Sequence, residues 1–118
     1  MTNKSILKIP IRKIHALEIL QGKKKREYRP FTDFWVKRLC LCEDSEDKFL
    51  ITSLKSFDEV YFYPYNNKWF LKCKVKAVDL CKVDDEFINY FGDEVECEKG
   101  GNMFVITIGE IIESNLAG

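Results

Sequence analysis

Between Gly22 and Arg29 the chain sets one carboxylate among cations, in the run Gly22-Lys23-Lys24-Lys25-Arg26-Glu27-Tyr28-Arg29, where six of eight residues are charged. Each type has its own chemistry. Arg29 offers a planar fork that fits a phosphate or a base edge, and Lys24 offers a mobile point charge. Glu27 can accept from an exocyclic amine or a sugar hydroxyl, or act as a base. In an extended strand Glu27 and Arg29 fall on one face, about 7 Å apart. Opposite charges so placed hold each other in fixed rotamers while each keeps hydrogen-bonding capacity. Lys24 has the other parity, which puts it in the turn before the strand, reaching the site from the rim. A segment this charged either lies in solvent or lines a polar groove. Lys23, Lys25 and Arg26 read as solvent-facing guards of an exposed strand edge.

The flanking residues supply the elements that must position this run. Ser5–Ile11 reads as a first strand, with Pro10 at an edge or at the strand's end because it has no N–H to donate. From Arg12 to Gln21 the apolar residues Ile14, Leu17, Ile19 and Leu20 suit a short amphipathic helix. Gly22 takes the usual helix-ending position. After Pro30, Thr32 is the expected N-cap of a second helix, with Asp33 in its first turn. Phe34, Trp35, Leu39 and Cys40 should face inward. An acidic loop follows at Glu43–Asp47, then short strands at Phe49–Leu54 and Glu59–Tyr63 and a turn at Pro64–Asn67. The longest strand is expected at Trp69–Lys82, with Leu71, Cys73, Val75 and Ala77 on one face and Lys72, Lys74 and Lys76 on the other; these lysines could track a phosphate backbone, and a solvated strand face is the commoner use of such a row. A third helix spans Asp84–Phe91 and ends at Gly92. Glu94–Glu98 and Met103–Ile108 read as a hairpin about Gly100-Gly101, and Gly109–Glu113 extends the last strand. The fold class expected is α+β, a small barrel with short helices at its ends, in one domain over residues 1–118.

Composition limits the partners. The chain has 118 residues, enough for one domain with a core, and its 19 basic residues balance 19 acidic ones. With no net charge, anion binding must come from a local patch. No signal peptide and no apolar stretch of about 20 residues is visible, so the expectation is a cytoplasmic protein without a membrane. The five cysteines include the close pair Cys40-x-Cys42 but no C-x-x-C, and the single His15 is distant in sequence. Reduced thiols used as small apolar residues fit better than a metal site, and no cofactor is called for. His15, with no nucleophile motif beside it, reads as an ordinary helix residue.

Gly22, Lys24, Glu27 and Arg29 match the pattern G-x-K-x-x-E-x-R, placed after a helix that follows the first strand. With the opening Ile6–Ile11, the strand from Phe57 to Phe62 and the closing Phe104–Ile111, this resembles the ASCH domain, a relative of the PUA RNA-binding fold. The likeness is closest to the small stand-alone members of bacteria and their phages. It implies a PUA-like β-barrel with a cleft beside the motif, binding RNA or a nucleotide through Gly22, Lys24, Glu27 and Arg29. A second implication is hydrolysis. Some members deacetylate acetylcytidine, but they carry a Thr where this chain has Glu27, and their distant catalytic Glu is matched here at best by Glu86. Others are associated with ribonuclease activity, for which Lys24 and Arg29 would stabilise a phosphorane while Glu27 takes the ribose proton. A third reading is a protein partner held by an aromatic surface. Tyr61, Tyr63, Tyr65 and Trp69 cluster around a turn, and one could stack on a base, although packing in the core or at its rim is the commoner use of any single one of them.

Overall fold

The computed structural model describes residues 4–44 and 49–116. In chain order its elements are β1 (Ile6–Pro10), α1 (Lys13–Leu20), β2 (Arg26–Pro30), α2 (Asp33–Leu39), β3 (Cys40–Asp44), β4 (Phe49–Leu54), β5 (Glu59–Tyr63), β6 (Leu71–Lys82), α3 (Asp85–Phe91) and β7 (Asn102–Ser114). The fold is α+β, with one sheet of order β1-β5-β6-β7-β2 and a second made of β3 and β4. Among the described residues no helix is long and apolar enough to cross a membrane. The chain forms two compact units. One comprises the segments up to Glu27, Ser56–Ala77 and from Ile106 onward; the other comprises Tyr28–Lys55 and Val78–Val105.

In the first unit β1 runs parallel to β5, and β5 antiparallel to β6. Side chains alternate across a strand, so the register places Leu7, Val60 and Cys73 in one row and Ile9, Phe62 and Leu71 in the next. All six are buried and form the core of this unit. The expected alternation along β6 stops there. Val75 is half-buried and Ala77 exposed, because the register with β5 ends at Glu59↔Lys74 and the strand then runs past that neighbour. Helix α1 also departs from its expected stripe. It buries Ala16 and Ile19, a pair three residues apart, while Ile14 is 64% exposed. In eight residues the apolar side chains fan around the axis and only this pair faces the core.

The two outer strands of the five-stranded sheet, β1 and β2, both end on a proline, Pro10 and Pro30. The Ile11 N–H donates to the Tyr63 carbonyl of β5, so by alternation the Pro10 nitrogen faces away from the ladder, as an edge proline must.

In the second unit α2 begins as expected, with Thr32 accepting from the Trp35 N–H and Asp33 in the first turn. Trp35, Val36 and Leu39 are buried, but Phe34 is 54% exposed. Its ring lies against the edge of Trp35 and beneath the Arg38 guanidinium, 4.4 Å from the ring centre. The cation covers one face of this ring, so it need not enter the core. Phe31 lies 5.7 Å from Phe104, centre to centre. The expected acidic loop is partly strand. Glu43 and Asp44 pair with Leu50 and Phe49 across the β3–β4 ladder, and its other residues fall outside the described ones. Asp84 caps α3 by accepting from the Phe87 N–H at 2.9 Å. Tyr28, Val83, Phe87 and Val105 form a core cluster, with Ile88 and Phe91 packed against it.

The expected hairpin strand at Glu94–Glu98 is absent, and these residues are turn and coil. Gly100 N–H donates to the Val83 carbonyl at 2.8 Å and Val83 N–H donates to Gly101 at 3.0 Å. The two glycines, at φ +117° and +67°, thus turn the chain against the end of β6.

Candidate functional site

The site begins at the end of α1. Gly22 adopts φ +77°, a backbone that glycine enters without strain. Its N–H donates to the Ile19 carbonyl and that of Lys23 to the Glu18 carbonyl, the paired bonds of a Schellman turn. The Lys24 N–H adds a third bond to Glu18 at 3.1 Å. Lys24 is thereby fixed to the helix end at its backbone, two residues before β2 starts, in the turn where parity placed it. The next residue is tied as well: the Lys25 carbonyl accepts from the Ile108 N–H of β7 at 2.9 Å.

From this anchored turn Lys24 reaches Glu27, with Nζ 3.2 Å from Oε1. The two side chains keep only 15% and 6% of their exposure. A carboxylate this deep in a protein needs a cation or several donors to remain charged, and Lys24 supplies the cation. Glu27 and the following Tyr28 are both buried, so β2 buries consecutive residues and not one face alone.

Beside this pair lies an open cleft of about 270 Å³. Gly22, Lys24 and Lys25 line one side, Lys76 of β6 and Gly109 and Glu110 of β7 another, and Ile19 and Ile108 contribute apolar surface. Gly109 permits this arrangement sterically. A Cβ there would stand 3.2 Å from Lys74 Cβ and 3.3 Å from the Lys74 carbonyl oxygen, so β6 and β7 approach closely enough that any side chain would make the neighbour give by a few tenths of an ångström. Glu110 pairs with Lys74 at 2.7 Å, at a well-exposed position. The hydrogen bond and charge of Glu110 raise the Lys74 pKa, and those of Lys74 lower that of Glu110. The lining therefore has three lysines against one carboxylate that already has its own cation. Lys24 is paired with Glu27 in turn, so Lys25 and Lys76 are the cations that this lining adds.

Three of these residues stood outside the site expected from sequence. Lys25 read as a solvent-facing guard and Lys76 as part of a solvated strand face; both are exposed and both line the cleft. Glu110 lay in the closing strand without an assigned role. Only the neighbourhood of β6 and β7 makes these positions meet, and no local pattern carries it.

Arg29 belongs to the second unit. Its guanidinium donates to the Tyr28 carbonyl at 2.7 Å and lies 5.3 Å from the centre of the Trp35 ring. Glu86, matched to a distant acid, sits on α3 beside a separate shallow cleft with Lys82, Asp84 and Tyr90. His15 is half-exposed, 3.6 Å from Glu18. Among the described residues no group of three or more His, Cys, Asp and Glu side chains could share a metal ion.

No family model, no curated protein and no solved structure matches the chain.

Proposed function

We propose that the protein binds RNA or a nucleotide in the cleft beside Lys24, as a PUA-like domain of ASCH type. One observation carries this reading: a lysine fixed to a helix end and to a buried glutamate stands on the wall of a cleft that holds two further lysines. Lys25 and Lys76 provide mobile cations for phosphate, and Glu27 sets the position of the third cation. The charge order matches the G-x-K-x-x-E-x-R pattern. Arg29, the last residue of that pattern, carries a planar donor set of the kind that fits a phosphate or base edge, and its guanidinium lies 5.3 Å from the Trp35 ring centre.

The test is binding of fluorescent nucleotides and short RNA to wild type and to the Lys25→Ala/Lys76→Ala double variant. Both lysines are exposed, so their removal leaves the fold intact. Affinity should fall about ten-fold or more at low salt, and the salt dependence should become shallower. Unchanged affinity would overturn the cleft as the site. Arg29→Ala is measured separately, with its melting temperature, because it also loses the Trp35 contact. Hydrolysis is read in the same samples. Product from acetylcytidine or from RNA that disappears in Glu27→Gln would move the reading from binding to catalysis.

A further inference from the structure

We infer that the outer face of β1, β5 and β6 is a second binding surface, a stacking platform for single-stranded nucleic acid. Its rings stand outside the cleft lining, while Lys76 of the cleft continues the same face of β6. The inner face of these strands is the buried core, so the intervening residues point away from it. On β5 these are Tyr61 and Tyr63, half-buried with ring centres 6.1 Å apart. Phe70, just before β6, lies parallel to Tyr61, with centres 5.4 Å apart and planes within 6°. The Phe70 backbone is clamped on both sides: its N–H donates to Asn115 Oδ1 at 2.7 Å, and its carbonyl accepts from the Ser114 hydroxyl at 2.8 Å. This row of rings is held in place before any ligand arrives, so ordering it costs little on binding.

Charge complementarity identifies the occupant. The register sets Lys8 and Lys72 directly beside Tyr61, one on each neighbouring strand. Cross-strand neighbours lie about 5 Å apart, so a base on the ring has its phosphates within reach of an ammonium. In the next row Glu59, buried, pairs with Lys4 at 2.9 Å and approaches Lys72 at 3.8 Å. One carboxylate offsets one of these two lysines, and Lys8 and Lys72 are the cations that flank the ring. Rings that accept any base, flanked by cations at backbone spacing, are what a flexible single strand requires.

The experiment is fluorescence anisotropy of a fluorescein-labelled oligouridine with the full chain. Tyr61→Leu keeps apolar bulk but removes the ring, and should weaken binding about ten-fold; Tyr61→Phe should bind as wild type does. Lys8→Glu, at an exposed position, should weaken binding to a similar degree and flatten the salt dependence, and it serves if Tyr61→Leu fails to fold. Lys25→Ala, which lies outside β1, β5 and β6, reports on the cleft, so the two surfaces fail separately. Wild-type affinity in both Tyr61→Leu and Lys8→Glu would overturn the platform. So would salt-independent binding, or loss in Lys8→Glu with none in folded Tyr61→Leu, which would signify charge without stacking.

Discussion

Lys24 Nζ stands 3.2 Å from Glu27 Oε1, and neither side chain is free to seek water instead. The pair is buried enough that removing one member leaves the other without its described counter-charge. Lys24→Ala should therefore cost roughly 2 kcal/mol or more, and Glu27→Gln less, since the amide oxygen still accepts from Lys24. Urea titration of both variants and the double variant gives the coupling. Additive losses would show that the two residues do not act as a unit.

The two glycines of the cleft should fail for different reasons. Gly22 has open space where a Cβ would go but a left-handed backbone, whereas Gly109 has no such φ but lacks room against Lys74. Gly22→Ala should cost about 1 kcal/mol, and Gly22→Asn, which tolerates this backbone, less. At Gly109 the neighbouring β6 backbone must move for either residue, so Asn should be worse than Ala. Thermal melts of the four variants test the crossed order; the same ranking at both sites would refute it.

Burial pushes the Cys73 thiol up from an ordinary 9.0 to about 11. The folded state thus holds a proton that the unfolded chain releases as pH rises through 9. Stability from this source is complete below about pH 9 and is lost towards pH 11, a fall of roughly 2–3 kcal/mol. Unfolding midpoints measured across that window should drop more steeply in wild type than in Cys73→Ala. Parallel slopes would show that the thiol does not contribute.

Much of this was legible because it is local. Gly22 after a helix, Thr32 and Asp84 before one, and the Glu59–Tyr63 run each signal their role within a few residues, and the structure places them accordingly. The misreadings share a cause. Glu94–Glu98 alternates like a strand, but its expected turn, Gly100-Gly101, bonds to Val83 instead. Phe34 reads as core, yet an arginine one turn on covers its face. Of the site, Gly22, Lys24 and Glu27 were visible as a motif. Lys25, Lys76 and Glu110 were not, because only the sheet brings them to one cleft.

The edge prolines bear on how the protein behaves when concentrated. An outer strand is a template on which another copy can continue the sheet, the first step towards a fibril. Here Pro10 withholds a donor from the open side of β1, Pro30 ends β2, and the Tyr28 carbonyl on β2 is occupied by the adjacent Arg29 guanidinium. Each outer strand thus offers a second copy fewer free pairing groups than an uninterrupted edge would.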